Sequence, residues 1–296
     1  MLVRHRDSNE TTIDTPAKVN LFLEVLNKRP DGYHNINSLF QAVSLFDRLH
    51  FMLVPETGVS IRLVTDIELS VGADNLIARS YYLMKREFAL KRGLSVTLDK
   101  KIPISAGLAG GSSDSAATIL ACNLLFNLKL SNSQMAELAR KLGSDVPFFF
   151  SSGQALVSGR GEVVKDTSFP TDYQMVLVTP HITISSAASY AALKRGLTRS
   201  KTPFKLKVCK TVEDLFRSLR LSGNDFEEAC FHSFPELGRI KDGLLKHGAL
   251  IARMTGSGPT IFGIFEQAPR TEVDKMLNRR NWHVHTVTPI SLVGQD

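Results

Sequence analysis

Apolar and polar positions alternate along residues 17–26, AKVNLFLEVL, which is the period of a β-strand. Alternation places every second side chain on the same face of a strand. Lys18 and Asn20 therefore share one face with Phe22 and Glu24. The opposite face is entirely apolar and is predicted to pack against the core; its members are Ala17, Val19, Leu21, Leu23 and Val25.

The rest of the chain mixes strand and helix patterns, which predicts an α+β fold. Asp31-Gly32 is a turn signal, and Asp74-Asn75 is typical of a helix N-cap. Strands are predicted over 36–49, 50–72, 94–102, 154–158, 162–165, 174–179, 260–266 and 284–292, and helices over 75–90, 112–127, 131–143, 186–195, 211–220, 224–247 and 271–279. We expect two domains, residues 1–162 and 163–296.

The segment PISAGLAGGSSDSAA, residues 103–117, lies between a predicted strand and a predicted helix. Gly107, Gly110 and Gly111 lack a Cβ atom, so the backbone here can approach a ligand closely. Ser112 to Asp114 suit the helix N-cap region, where free N–H groups and the positive end of the helix dipole face an anion. The segment indicates a phosphate-binding loop; the alternative is a glycine-rich turn without a ligand.

The familiar phosphate loops do not fit this segment. A Walker A loop needs a lysine after its last glycine, and none follows Gly110 or Gly111. The dinucleotide-binding and protein-kinase fingerprints also fail, because Ala109 stands where their second glycine should be. Positive charge for a phosphate must then come from elsewhere in the chain, and Lys18 is the best candidate.

The formal net charge of +7 favours an anionic partner. Part of the excess lies at residues 194–210, which hold seven basic residues and no acid. Such a run is either a solvated loop or a nucleic-acid patch. The loop is favoured, because only Phe204 could stack on a base there, and no nucleic-acid partner is predicted.

The composition also bears on the compartment. No run of eighteen apolar residues occurs and the N-terminus lacks the apolar core of a signal peptide, so no membrane partner is predicted. Cys122, Cys209 and Cys230 are odd in number and widely spaced. This usage favours a reducing compartment, and we expect the cytoplasm.

Two charged residues are candidates for chemistry. Lys18, inside a strand, is either an exposed edge residue or a positive charge beside a transferring phosphoryl group. Asp145, in GSDVPFFF at 143–150, is either a helix N-cap, since Pro147 follows it, or a general base for a hydroxyl. Both pairs of alternatives stay open, and those for Asp145 do not exclude each other.

Two further segments could contact a ligand. Tyr33 and His34 follow the Asp31-Gly32 turn, where they either flank a hairpin or present an aromatic face to a planar ligand. The segment GSGP, residues 256–259, is either a tight turn or a second loop that approaches an anion. The residues alone do not decide between these interpretations.

In their order along the chain, these segments resemble the GHMP family of small-molecule kinases. The Lys18 strand, PISAGLAGGSSDSAA and MTGSGPTIF (254–262) carry the resemblance. PAKVNLFLEV, RPDGYHNINSLFQAV, GSDVPFFF and GNDFE are most similar to the members that phosphorylate CDP-methylerythritol in the non-mevalonate isoprenoid pathway. The resemblance runs from residue 14 to residue 265, and its specificity comes from the ordered set of motifs.

The resemblance implies an N-terminal ATP-binding α/β domain, a C-terminal ferredoxin-like domain and an active site between them. It also implies phosphoryl transfer from ATP, with Mg²⁺, to an alcohol group, and Lys18 and Asp145 as the catalytic pair. ATP would be bound by Asn75, Lys100, Pro103, Ile104, Ser105, Ala106, Gly107, Leu108, Ala109, Gly110, Gly111, Ser112 and Ser113. The acceptor would be bound by Asn20, Tyr33, His34 and Ser186.

The chain departs from the family pattern at two positions. Ala109 replaces a usual glycine, so a Cβ atom must be tolerated near the phosphates, and Ser186 stands where threonine is common. The magnesium ligands are not identified, with Ser112 or Ser113 as suggestions, and a monomer or weak homodimer is expected.

Two rival functions remain, another GHMP small-molecule kinase and a non-catalytic nucleic-acid-binding protein. The Tyr33-His34 segment argues against the first, because only an acceptor with a nucleobase needs an aromatic reader. The pair of Lys18 and Asp145 argues against the second, because a passive binder has no use for it beside a triphosphate loop.

Overall fold

The computed structural model describes residues 1–65, 69–193, 203–267 and 282–292. Its larger sheet has seven strands in the order β1-β2-β3-β5-β4, and β3 also pairs with β6, which pairs with β7. The strands are β1 (Leu2–Arg6), β2 (Glu10–Lys28), β3 (His34–Val54), β4 (Val59–Leu63), β5 (Gly93–Asp99), β6 (Gln154–Ser158) and β7 (Val163–Asp166). The predicted α+β class is confirmed.

The strand predicted at 17–26 is part of the longer β2. The predicted alternation of its side chains between the two faces of the sheet is correct only up to Leu21. The register with β3 shifts between Asn20 and Phe22, so a bulge interrupts the alternation there. Phe22 packs with Leu21 on one side of the sheet, whereas Leu23 packs on the other side. The prediction of one continuous apolar face was wrong, because a bulge reverses the faces and both sides of the strand are covered.

Helices of the N-terminal half cover one side of this sheet. They are α1 (Leu76–Phe88), α2 (Gly110–Leu125), α3 (Asn132–Ala139) and a short 3₁₀ helix, Val146–Phe150. The predicted cap of α1 is confirmed, because Asn75 caps this helix. The sequence offers Ser131 or Ser133 as the cap of α3, and the structure shows Ser131, which forms a capping box with Gln134. The helix α3 ends at Ala139, before the predicted end at Gly143.

The second sheet has four strands in the order β11-β8-β10-β9. They are β8 (Gln174–Thr179), β9 (Ile251–Met254), β10 (Ile261–Phe265) and β11 (His283–Val287), with helices α4 (Ser186–Ala192), α5 (Val212–Leu219), α6 (Glu227–Ser233) and α7 (Pro235–Lys246). The single helix predicted over 224–247 is two helices, because Pro235 cannot continue α6 and instead begins α7. The helix predicted over 271–279 and residues 194–202 of the basic run lie outside the described residues.

Strand β2 joins the two sheets. The Asn20 backbone N–H donates to the Thr255 hydroxyl at 2.9 Å, and the Leu23 N–H donates to the Gly223 carbonyl at 2.9 Å. Asn224 fixes the loop after β9 by donating to the carbonyls of Met254 and Gly256. The second sheet begins at β8, and the division into residues 1–162 and 163–296 stays a prediction.

Candidate active site

A cleft of about 680 Å³ lies where the two sheets meet. Strand β2 contributes Lys18 and Asn20, and the 3₁₀ helix is preceded by Asp145 at the edge of the cleft. The remaining walls are loops and helix starts: residues 103–107 and 109–112, Asn75, Arg160, Ser185, Ser186, and residues 256–258. Segments that are far apart in the sequence are thereby brought to one cavity.

Lys18 and Asp145 form the polar centre of this cleft. The Lys18 ammonium donates to the Asn20 Oδ1 at 2.6 Å and lies 3.4 Å from the Asp145 Oδ2. It also lies 4.5 Å from the centroid of the Phe40 ring, which is a cation–π contact. Lys18 is therefore a buried cation aimed at a carboxylate and not an exposed edge residue.

The carboxylate of Asp145 is not used as a helix cap. Asp145 occupies the N-cap position of the 3₁₀ helix, but its side chain accepts no capping hydrogen bond among the described residues. With 31% of the side chain exposed, the carboxylate is open to the cleft, next to Lys18. The interpretation as a side-chain cap is therefore not supported, and the role in chemistry stays a prediction.

Asn20 connects Lys18 to the loop that follows β9 of the second sheet. Its Oδ1 accepts from Lys18 and from the Thr255 hydroxyl, the latter at 3.2 Å. Its Nδ2 donates to the Ser38 hydroxyl at 3.0 Å. These contacts fix the Asn20 amide so that its oxygen orients the ammonium of Lys18.

The glycine-rich loop is shaped by backbone positions with positive φ. Gly107 has a φ of +77°, and a Cβ atom there would lie 2.3 Å from the Thr255 carbonyl oxygen. A side chain at this position is thus excluded by conformation and by space. Ser105 and Ala109, with φ of +53° and +56°, adopt the same left-handed region despite having side chains.

Helix α2 begins at Gly110, two residues before the predicted start, and Ala109 is its N-cap residue. The prediction that Ser112 to Asp114 cap this helix was wrong: in the described chain no side chain caps α2, and its first turn holds no acid. The Ser113 hydroxyl instead donates to the Pro16 carbonyl at 2.6 Å. The first N–H groups of α2 are therefore left for an anion in the cleft.

Two of the predicted ATP-binding positions do not line the cleft with their side chains. Leu108 is fully buried in the core between the sheets, and its carbonyl accepts from the Lys18 N–H at 3.1 Å. Ser113 is fully buried between α2 and β2. Both residues support the loop from behind, while residues 109–112 face the cavity.

Lys100 stands behind the loop in a buried cluster with two carboxylates. Its ammonium donates to Asp47 and, at 2.8 Å, to Asp114 of α2. Asp47 also accepts the backbone N–H groups of Lys101 and Ile102, at 2.7 and 2.8 Å. The cluster holds together the segment that enters the loop and the helix that follows it.

Burial raises the pKa of the Asp114 carboxyl to about 7, against the lowering effect of the Lys100 ammonium. The Oδ1 atom of Asp114 is buried and has no hydrogen-bond partner in the part of the chain that the structure describes. An ionised carboxylate is costly in such a place. Sequence reasoning missed this cluster, because Asp47 lies far from the loop in sequence.

Asn75 lines the cleft at the start of α1. Its Oδ1 accepts from the Ile77 N–H at 2.8 Å, and its Nδ2 donates to the Ser70 carbonyl at 2.6 Å. Both functional groups of the Asn75 amide thus shape the start of α1. Its place in an adenine pocket stays a prediction.

Tyr33 and His34 lie beside the cavity and contact residues that line it. The His34 ring stacks on Tyr190 of α4, with centroids 5.2 Å apart. The Arg160 guanidinium lies 4.9 Å from the centroid of the Tyr33 ring, and Tyr33 remains 55% exposed. Burial and then the charge of Lys28 lower the pKa of His34, so its neutral ring can donate one hydrogen bond and accept another at pH 7.

Ser186 begins α4 on the side of the second sheet. Its hydroxyl lies 2.9 Å from the Ser257 hydroxyl, which ties α4 to the segment at 256–258. Both residues line the cleft. The structure thus places Ser186 in the same cavity as Lys18 and Asp145.

The basic run gives little support for nucleic-acid binding in its described part. Phe204, the one aromatic residue considered for base stacking, packs edge-to-face against Phe22 with centroids 5.0 Å apart. Its ring is therefore used in the core between the sheets. Among the described helices, none combines the length and the apolar character needed to cross a bilayer.

Family models match both halves of the chain. The model for the GHMP kinases N terminal domain matches residues 75–153, and the model for the GHMP kinases C terminal matches residues 206–282. The first match contains the glycine-rich loop and Asp145. The second covers helices α5 to α7 and strands β9 and β10.

Whole-chain relatives agree with these matches. The chain is 36% identical to the 4-diphosphocytidyl-2-C-methyl-D-erythritol kinases of Bacillus cereus (strain AH187) and Bacillus anthracis, over 96% of this chain and 97% of each relative. A crystal structure of 4-(cytidine 5'-diphospho)-2C-methyl-D-erythritol kinase superimposes with a TM-score of 0.74 at 30% identity, covering 94% of this chain and 98% of that one.

A homoserine kinase from Cytophaga hutchinsonii has a TM-score of 0.70 at 18% identity, with 98% of each chain covered, and is similar in fold. The predicted two-domain fold of these enzymes is confirmed. The chain therefore belongs to the GHMP kinase family, in the branch that its 4-diphosphocytidyl-2-C-methyl-D-erythritol kinase relatives form.

Proposed function

We propose that this chain transfers the γ-phosphoryl group of ATP to a hydroxyl of 4-diphosphocytidyl-2-C-methyl-D-erythritol. The 2-hydroxyl is the position that the family leads us to expect. One observation carries the proposal: the buried ammonium of Lys18 lies 3.4 Å from the open carboxylate of Asp145, in a cleft that also receives the N-terminus of α2. Phosphoryl transfer requires mainly such positioning and charge stabilisation.

The donor end of the cleft is the start of α2. The unoccupied N–H groups of its first turn and its dipole favour the triphosphate of ATP, and the left-handed turns at Gly107 and Ala109 aim the backbone at it. Lys100 lines the cavity, but its charge is already shared by two carboxylates. We therefore assign Lys100 to holding the loop in place rather than to neutralising a phosphate.

Magnesium is the metal we propose for the donor. Mg²⁺ prefers oxygen ligands and keeps several of its waters, so one protein hydroxyl beside the triphosphate is a sufficient contribution. Ser112 lines the cleft with such a hydroxyl, whereas the Ser113 hydroxyl is buried against β2. When bound, the ion would neutralise phosphate charge; Ser112 would be its ligand from this chain.

Asp145 and Lys18 act at the acceptor hydroxyl. Asp145 accepts the hydroxyl proton as the oxygen attacks the γ-phosphorus, and Lys18 stabilises the negative charge that develops on the oxygen and on the phosphoryl group. Asn20 keeps the ammonium pointed at this place through its 2.6 Å hydrogen bond. The bond between the γ-phosphorus and the β,γ-bridging oxygen breaks, and ADP leaves with the bonding electrons. The hydroxyl proton ends on the Asp145 carboxylate and is released to solvent when the product departs.

The acceptor end of the cleft lies toward Tyr33 and His34. We propose that these rings bind the cytosine, and that Asn20 and Ser186 bind the methylerythritol part near the catalytic pair. A neutral His34 suits a base that offers both donors and acceptors. We also propose a cytoplasmic location, which the three unpaired cysteines support, and a monomer or weak homodimer.

The test is turnover with defined acceptors. The purified chain is incubated with ATP, Mg²⁺ and, separately, CDP-methylerythritol, homoserine or mevalonate, and ADP release is measured. Of the three acceptors, we expect only CDP-methylerythritol to give turnover. We also expect phosphorus–carbon couplings in the NMR spectrum of the product to identify C2 as the phosphorylated carbon. Turnover with mevalonate or homoserine, and none with CDP-methylerythritol, would replace this function with that of another family member.

A further inference from the structure

Arg160 is a cation in the cleft that the catalytic pair and the phosphate loop do not use. Three basic side chains line the cavity among the described residues, namely Lys18, Lys100 and Arg160. Lys18 is held by Asn20 and Asp145, and Lys100 by two carboxylates. The Arg160 guanidinium donates no hydrogen bond to any residue in the described ranges, and its side chain is 32% exposed.

The nearest carboxylate does little to neutralise Arg160. The Nε of Arg160 lies 4.0 Å from the Oε2 of Glu162, and that oxygen already accepts the backbone N–H of Arg160 at 2.6 Å. The guanidinium carbon lies 4.9 Å from the centroid of the Tyr33 ring, and Arg160 lines the cleft. A planar guanidinium with open donors is well suited to bind phosphate oxygens in pairs.

The turn that carries Arg160 is fixed against the catalytic residue. The Gly159 carbonyl accepts the Ile36 N–H at 2.8 Å, which ties the turn to the start of β3. Gly161 has a φ of +122°, and a Cβ atom there would lie 3.4 Å from the Asp145 Oδ1. Arg160 therefore projects from a turn tied to β3, with its guanidinium beside Tyr33 and the next residue, Gly161, beside Asp145.

We propose that Arg160 binds the diphosphate of a nucleoside diphosphate acceptor and sets the distance between its base and its reacting hydroxyl. The inference rests on the proposed function, since Tyr33 would bind the base and Asp145 would meet the hydroxyl. The diphosphate joins these two parts of the acceptor, and Arg160 lies beside Tyr33 in a turn whose next residue, Gly161, lies beside Asp145. The ATP phosphates have the separate site at the start of α2.

The test separates binding from turnover. Calorimetry measures the affinity of the unmodified chain, Arg160→Met and Arg160→Lys for CDP and for cytidine. We expect the Met variant to lose about tenfold in affinity for CDP while its affinity for cytidine changes less than about twofold, because only the charge-assisted bonds to phosphate are removed. The CDP affinity of the Lys variant should lie between those of the unmodified chain and the Met variant, since a point charge replaces the paired donors.

Arg62→Met is the matched control, because Arg62 is exposed on β4, far from the cleft lining, and the change in net charge is the same. It should bind CDP like the unmodified chain. In turnover assays Arg160→Met should raise the KM for CDP-methylerythritol by about tenfold and leave the KM for ATP unchanged.

Three results would overturn the inference. An unchanged CDP affinity in Arg160→Met would show that no phosphate contact exists, and equal losses for CDP and cytidine would show that Arg160 only supports the Tyr33 ring. A raised KM for ATP with unaltered CDP binding would assign Arg160 to the donor. Failure of the unmodified chain to bind CDP or to turn over CDP-methylerythritol would instead reject the proposed function, and this inference with it.

Discussion

The Lys18 ammonium lies 3.4 Å from the Asp145 carboxylate, and only one of the two side chains is open to solvent: Lys18 is 3% exposed and Asp145 31%. The asymmetry has a chemical consequence. A buried ammonium keeps a fixed position through Asn20 and Phe40, whereas the carboxylate can exchange its contact with Lys18 for one with a substrate hydroxyl. In the proposed reaction, Lys18 is thus the fixed cation and Asp145 the adaptable base.

Replacing Asp145 with asparagine should lower kcat at least about 100-fold, because the amide cannot accept the hydroxyl proton. The unfolding free energy should fall because the buried Lys18 ammonium loses its charge partner, and not because a helix cap is lost, since the carboxylate caps no N–H in the described structure. Steady-state kinetics and thermal unfolding check the two parts. Asp99→Asn is a matched control, with the same 31% exposure and a lysine 3.7 Å away, and it should leave kcat unchanged.

A loss of about 1 kcal/mol in unfolding free energy, with kcat retained, would instead make Asp145 a helix cap. The sequence supported both roles equally. The hydrogen bonds of the 3₁₀ helix discriminate between them, because a capping aspartate must accept an N–H and this one does not do so among the described residues.

Replacing Lys18 with methionine should lower kcat by about 100- to 1000-fold, the usual cost of removing one electrostatic group from a transition state. Methionine has a similar length and removes a buried charge, so the variant should fold with an unfolding free energy close to that of the parent chain. Lys101→Met is the control, because Lys101 is 62% exposed and pairs only weakly with Asp99. A kcat within about threefold of the parent chain in Lys18→Met would remove Lys18 from the catalytic pair.

Local sequence patterns predicted most of the fold. The caps at Asn75 and Ser131 were visible because a cap is a bond between near neighbours in the chain. The bulge at Leu21 was not visible, because it depends on the register between β2 and β3. Strand β9 was missed, since four residues of buried strand show no clear period.

Family motifs predicted which residues form the candidate site. They did not predict the contacts that hold these residues in place. Lys100 and Asp47 come into contact only when β3 and β5 pair, and no local sequence pattern indicates this contact. The sequence places Arg160 only in the turn between the predicted strands 154–158 and 162–165. Its proposed role depends on the position of this turn beside Tyr33 and Asp145, which is a tertiary relationship.

Ala109 adopts the left-handed conformation at a position where the family usually has glycine, with φ of +56°. Ala109→Gly should raise the unfolding free energy by up to about 1 kcal/mol, because a Cβ atom makes this conformation costly. Ala89→Gly is matched, since Ala89 ends α1 with φ of +51° outside the cleft lining, and a similar gain is expected. Chemical denaturation gives both values.

The KM for ATP of Ala109→Gly should remain within about twofold of the parent value, because the backbone N–H groups that face the phosphates are retained. A stability gain in Ala89→Gly together with a loss in Ala109→Gly would contradict this account. It would show that the Ala109 methyl group stabilises the loop by more than its conformation costs.

The Asp114 carboxyl makes the unfolding free energy depend on pH near neutrality. Its pKa is raised from 3.8 to about 7 in the folded chain, chiefly by burial. Between these values the folded chain holds a proton that the unfolded chain has released, so the stability contribution of Asp114 falls as the pH rises and is fully lost above about pH 7. Burial lowers the pKa of Lys100, but its two carboxylates raise it above the ordinary value, so Lys100 stays charged in this range.

Asp114→Asn removes this titration, and the unfolding free energy of the variant relative to the parent chain should therefore increase from pH 5 to pH 8. Urea unfolding at four pH values measures the difference. Glu87→Gln is the control. Lys141 and Arg86 lower the pKa of Glu87, so this group titrates below the range tested. The difference in unfolding free energy between Glu87→Gln and the parent chain should therefore not change with pH. A flat or decreasing difference for Asp114→Asn would mean that Asp114 is already ionised at pH 5, because the attraction of Lys100 then outweighs the cost of burial.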